Sequence, residues 1–130
     1  LLLLEVVMTL AVPASRRRLP RIRPSYTVSF DLGGAEGSLT AGAHSDGQLG
    51  EIFLRLGKQG SSLAGLTEAF SIVTSLALQH GVPLELIVRR LQGLRFEPAG
   101  PTDDEDVPQA TSVMDYVARR LARDFLADGS

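Results

Sequence analysis

The stretch from Gly50 to Gly81, GEIFLRLGKQGSSLAGLTEAFSIVTSLALQHG, limits the fold more than any other. Ile52, Leu54 and Leu56 fall on one side of an extended chain, which predicts a strand with one apolar face. Gly57 and Gly60 then bracket a turn carrying Lys58, and a long helix is expected from Ser61 or Ser62 to the neighbourhood of Gly81. Within it Leu63, Leu66, Phe70, Val73 and Ala77 recur at intervals of three and four, widened by Ala69, Ile72 and Leu76. A stripe of that width needs cover from a sheet or from other helices, so this helix is expected to build the core.

The turn feeding the helix is the best candidate for chemistry. Gly57 and Gly60 admit backbone angles that a side chain forbids, and the first N–H groups of a helix have no partner within it. With the partial positive charge of a helix start, the Ser61 and Ser62 hydroxyls and the Lys58 ammonium, the turn offers a phosphate cradle. The plainer reading of the same residues is structural: Ser61 or Ser62 caps the helix, the glycines make the turn, and Lys58 is solvated. The order Gly-x-x-x-x-Gly-Lys-Ser/Thr is missing, so this is not a Walker loop.

A length of 130 residues suits one core and one domain. The net charge of −2 exerts no overall pull toward nucleic acid or a membrane. The chain has no cysteine, which excludes disulfides, thiolate metal sites, thiol nucleophiles and dithiol redox chemistry on its own residues. His44 and His80 lie far apart with no ligand pattern around them, so no metal site and no catalytic residue is assigned. His80 is instead expected to meet free carbonyls at the end of the long helix, with Gly81 as a left-handed cap.

Residues 1–24 read as an extended or disordered arm. Leu1 to Val12 is apolar, but Glu5 interrupts it and no basic residue precedes it. It is also too short to span a bilayer, and these features argue against a secretory leader or an anchor. Met8 is a candidate initiator, which would put residues 1–7 outside the natural chain, so they are set aside from the fold. Arg16, Arg17, Arg18, Arg21 and Arg23 then crowd together, with Pro20 and Pro24 keeping the backbone extended. The cluster suits phosphates of a nucleotide or nucleic acid, an acidic partner surface, or simply a solvated tail. No aromatic residue is interleaved before Tyr26, so base stacking is unsupported, and Glu97 with Asp103 to Asp106 is an internal counterpart.

From Ser25 the period changes to two: Tyr26, Val28 and Phe30 share one face of a first strand. Glu36 to Ala43 offers a second, and Asp46-Gly47 is the hairpin signal before the third, Gln48 to Leu56. After the long helix, Pro83 suits the start of a helix ending near Leu91, with Gly93 beyond it. Leu94 to Gln109 reads as irregular, its acidic run solvated rather than magnesium-binding. The last helix is expected over Thr111 to Ala127, with Val113, Val117, Leu121 and Phe125 as its stripe. Asp115/Arg119 and Arg120/Asp124 are pairs on its surface, and Ser112 with Asp115 makes a weakened capping box. The expected fold is α+β: a three-stranded antiparallel sheet followed by three helices packed on one face, βββααα, as one domain over 25–127 with a tail at 128–130.

The run from Gly50 to Gly100 resembles the C-terminal, TSCPD-type domain of adenosylcobalamin-dependent (class II) ribonucleotide reductases. RRRLPRIRPSYTVSFDLGGAEGSLTAG resembles the lead-in and first strands of that domain, and VPQATSVMDYVARRLARDFL its closing helix, so the likeness covers about Arg16 to Leu126. The resemblance implies a parent enzyme that makes deoxyribonucleotides by a cobalamin-generated radical, on a barrel with an essential set of cysteines, in the cytoplasm. Neither that barrel nor any cysteine is in this chain, and Ser61 and Ser62 occupy the helix start where related domains often carry cysteine.

The resemblance therefore implies an accessory domain, not catalytic alone, that binds a nucleotide or a reductase catalytic subunit. No cofactor is assigned to its own residues, and adenosylcobalamin belongs to the parent family. Gly57, Lys58, Gly60, Ser61 and Ser62 would hold phosphate, Arg95 would add a second cation, and the arginine arm would approach the partner or, on weaker grounds, nucleic acid. Two alternatives stand beside this: an interaction module with no small ligand, and a fragment of a full reductase.

Overall fold

The computed structural model describes residues 15–126. The expectations for a leader, for an initiating Met8 and for a tail at 128–130 fall outside the described residues. Three strands come first, β1 (Ser25–Leu32), β2 (Ala35–Ala43) and β3 (Leu49–Leu56), joined in order into an antiparallel sheet with β2 in the middle. Three helices follow, α1 (Ser62–Gln79), α2 (Leu84–Leu91) and α3 (Val113–Phe125), packed together with the sheet in the βββααα order read from the sequence. Period-two alternation sends Phe30, Leu32, Leu39, Ala41, Ile52, Leu54 and Leu56 to one side of the sheet, where all are buried. Against them lie Val113, Tyr116, Val117 and Leu121 of α3, with the Tyr116 ring stacked on Phe30 at 4.3 Å. The core is therefore built by α3, a shorter helix than α1.

The long helix corrects the expectation placed on it. Its stripe of Leu63, Leu66, Ile72, Val73 and Leu76 is exposed, and its buried residues are Thr67, Ser71, Thr74 and Gln79. The reason lies in β3, whose far side has no strand beside it among the described residues. The Leu54 N–H donates to Ser71 Oγ at 2.8 Å and the Ile52 N–H to Ser75 Oγ at 3.0 Å. Ser75 Oγ in turn donates to the Ile52 carbonyl, and Gln79 Nε2 to the Gly50 carbonyl at 3.0 Å. Four helical residues rise about 6 Å, and two strand residues rise about 6.7 Å, so one polar side chain per helical turn keeps step with the strand. An aliphatic face there would leave edge donors unmet, at about 1–3 kcal/mol for each buried one. Only Phe70 and Leu78 of α1 reach over this polar line to the core.

Two further corrections concern the segment read as irregular. Gly100–Pro101 (β4) and Gln109–Ala110 (β5) pair antiparallel, and Leu32 bridges to Thr102 beside β1. The acidic run is not simply solvated: the Asp104 side chain is nearly buried, accepting from Tyr116 Oη at 2.6 Å and from Arg120. The last helix is capped as expected, with Ser112 Oγ accepting from the Asp115 N–H. Arg120 and Asp115 prove to be inside rather than on its surface. At the end of α1, His80 Nδ1 meets the Leu76 carbonyl at 2.9 Å, and Gly81 takes φ +91°.

Candidate functional site

The turn between β3 and α1 has the local chemistry that its residues dictate. Gly57 and Gly60 hold φ of +90° and +83°, a region that side chains avoid, and so reverse the chain in four residues. Ser61, extended at φ −80° and ψ 160°, is the N-cap, and its Oγ accepts from the Ala64 N–H at 3.1 Å. The Ser61 N–H donates to the Lys58 carbonyl. The amides of Ser62 and Leu63 have no intrahelical partner, and no acidic residue in the first turn offsets the partial positive charge of the helix start.

Beside this turn a groove of about 530 Å³ opens along the end of β3, lined among others by Arg55, Gly57, Gln59, Gly60, Ser61 and Glu68. The structure brings Gly57, Gly60 and Ser61 of the expected cradle to the groove. Lys58 and Ser62 are exposed beside it and not among its lining residues. Arg95 is exposed on the loop after α2, where the Phe96 N–H is held by the Thr111 carbonyl, and it does not line the groove either. The cation at the groove is Arg55, whose guanidinium sits 5.4 Å from the Phe53 ring centre. Sequence reading missed it because an outward-facing strand residue looks like ordinary solvated surface.

The arginine cluster is not a free arm. Arg16 donates to Gln79 Oε1 at 2.6 Å, Arg17 to Gln48 and Asp46 at 2.9 Å each, and Arg23 to both oxygens of Glu51. These partners lie on β3, on the turn before it and on α1, so the acids at Glu97 and Asp103 to Asp106 are not its counterpart. Arg18 and Arg21 are exposed.

The acids meet a different arginine. Arg120 donates to both oxygens of Asp124 at 2.8 Å and reaches Asp104 and Asp106 at 3.1 Å, while Arg123 reaches Asp106 at 3.0 Å. Tyr26 Oη donates to Asp124, as Tyr116 does to Asp104. The hydrogen bond to Asp124, ahead of those to Asp106 and Asp104, pushes the Arg120 guanidinium up from its ordinary range against the effect of burial. Burial and then the bond to a carboxylate push both tyrosines up, so the phenols stay protonated. Among the described residues no three His, Asp or Glu side chains converge as metal ligands do, and no helix is long and apolar enough to cross a membrane.

Comparison with known proteins places these features in a lineage. A family model described as the TSCPD domain matches residues 14–125. The chain is 58% identical over 111 residues to a protein of Streptantibioticus cattleyicolor named vitamin B12-dependent ribonucleotide reductase, covering 85% of this chain and 18% of that one. The protein of the same name from Streptomyces avermitilis is 58% identical over 111 residues, covering 85% of this chain and 12% of that one. The one from Rhodopirellula baltica is 42% identical over 123 residues, covering 95% and 12%. The chain thus spans less than a fifth of these curated relatives. No solved structure matches it.

Proposed function

Because the chain belongs to the TSCPD domain family, we propose that it serves as the C-terminal accessory domain of a vitamin B12-dependent ribonucleotide reductase, contributing to deoxyribonucleotide synthesis without catalysing it. One observation carries this reading. The stretch that the TSCPD family model matches includes every element from β1 to α3, so what is held in common with the family is a whole folded unit rather than a loop or a motif. With no cysteine in the chain, thiyl-radical and dithiol steps belong to other parts of such an enzyme. Cobalamin belongs there too. His44 is packed close against Gly50 and His80 is bound to its own helix, so this donor set does not suit a corrin, and no step is assigned to it.

The test is an exchange. In the Streptomyces avermitilis relative, this chain replaces the segment aligned with it, and reduction of a ribonucleotide is measured with adenosylcobalamin supplied. The exchanged enzyme is expected to work within a few-fold of its parent, and deletion of the segment to lower turnover by roughly tenfold or more. Full turnover by the deleted enzyme would end the accessory-domain reading.

A second reading concerns a ligand, and the groove beside the helix start favours it. In it the amides of Ser62 and Leu63, with Gly57, Gly60 and Ser61, meet a phosphate, and Arg55 and Lys58 supply charge from the two sides. Arg95 and the arginine cluster have no part in this version. Calorimetric titration of the 130-residue chain with a nucleoside diphosphate is expected to release heat, and both Arg55→Ala and Lys58→Ala to weaken binding. The absence of heat with the natural chain would remove the ligand.

A further inference from the structure

Among the described residues nothing covers the outward face of α1. Five of the large apolar residues exposed among those described lie on this helix: Leu63, Leu66, Ile72, Val73 and Leu76. Leu66 is 69% exposed and Val73 65%. In α1 the only charged residue is Glu68, on the flank. Leu66, Ala69, Val73 and Leu76 follow one another at steps of three, four and three, the spacing of a seam that packs against another helix. Gly65 beside Leu66 leaves room for close approach. A helix rises about 1.5 Å per residue, so the uncharged strip from Leu63 to Leu76 is about 20 Å long, beyond the singly scattered apolar residues of an ordinary surface.

We propose that this face is the surface by which the domain docks on the body of the reductase, against a helix with an apolar stripe of its own; the proposal rests on the accessory-domain reading. Two observations point to that occupant. The described chain begins beside the far end of α1: the Arg17 N–H donates to the Gln79 carbonyl at 2.8 Å and Arg16 to the Gln79 side chain. In a C-terminal domain the rest of the enzyme precedes this point, so the domain is joined to it by a segment held at the end of the helix that carries the exposed face. The long relatives also carry more than four-fifths of their length outside the matched segment, ample to supply a partner helix. Lacking charge, the face suits neither a nucleic acid nor a strongly charged protein surface.

The absence of cysteine makes the test clean. Val73→Cys and, as a second reporter, Leu66→Cys each introduce one thiol on an exposed position, where neither substitution disturbs the core. Maleimide labelling of the α1 peptide is followed by mass in two settings, the isolated 130-residue chain and the exchanged full-length enzyme described above. In the isolated chain both thiols are expected to react as freely as a small model thiol. In the full-length enzyme labelling is expected to slow by roughly tenfold or more, as for a site reached only on local opening. Equal rates in the two settings overturn the proposal. So does slow labelling in the isolated chain: if it depends on concentration the occupant is a second copy, and if it does not, the chain covers itself. Turnover is read separately. An inactive exchanged enzyme with protected thiols sinks the accessory-domain reading alone, whereas an active one with freely reacting thiols sinks the docking surface alone.

Discussion

The Arg120→Ala protein is expected to lose about 3–5 kcal/mol, the usual effect of removing one partner from a buried charge network, and to unfold roughly 10–20 °C earlier than the natural chain. Arg120 is 14% exposed and holds Asp104 and Asp124, themselves 6% and 17% exposed. Without it, two desolvated carboxylates face each other, Asp104 left with the Tyr116 hydroxyl and the Asp106 N–H as donors and Asp124 with the Tyr26 hydroxyl. Arg119, one residue earlier, is an instructive control: it also pairs four residues away, but it is 43% exposed, and its removal leaves the Asp115 carboxylate still held by the Gly93 and Thr111 N–H groups. Arg119→Ala is therefore expected to cost about 1 kcal/mol or less. Thermal unfolding of the two variants, followed by circular dichroism, separates them. Equal losses would mean that Arg120 behaves as a surface residue and that the network does not hold α3 to β1 and to the acidic segment.

That comparison also shows where sequence reading stops. Asp115/Arg119 and Arg120/Asp124 have the same spacing, and spacing alone reports both as pairs on a helix surface. What divides them is the position of Asp104 and Tyr26, brought to α3 by the segment after α2 and by β1. Local signals fared well because their causes are local. Strand alternation, the Ser112 cap and the left-handed glycine after His80 depend on a few neighbouring atoms. The facing of α1 does not. Its apolar stripe and its polar line of Thr67, Ser71, Ser75 and Gln79 are both regular, and the choice between them is made by β3 having one free side. A line of hydroxyls and an amide at intervals of four was the available signal for edge cover. At the turn, the Ser61 cap and the two glycines were legible, whereas the displacement of Lys58 from the groove and the presence of Arg55 depend on how the sheet and helix meet.

Asp115→Asn tests the other buried acid, and its effect should depend on pH. The carboxylate accepts from the Gly93 N–H on one oxygen at 2.7 Å and from the Thr111 N–H on the other at 2.9 Å, so it ties the end of α2 to the start of α3. Asparagine has nearly the same shape but must turn an N–H₂ group toward one of those donors, leaving it unmet in a site 1% exposed. The expected loss at neutral pH is about 3 kcal/mol. Burial by itself would raise the Asp115 pKa, but the bonds from Thr111, Gly93 and Arg119 outweigh it and hold the carboxyl below its ordinary value of 3.8. A carboxyl depressed by folding contributes stability that is fully present above 3.8 and is lost as pH falls through the lower, folded value. The gap between natural chain and variant should therefore be widest near pH 7 and narrow progressively below 3.8. Urea unfolding at a series of pH values measures it directly. A gap that stays constant down to the acid limit would show that shape, and not the ionised carboxylate, joins the two helices.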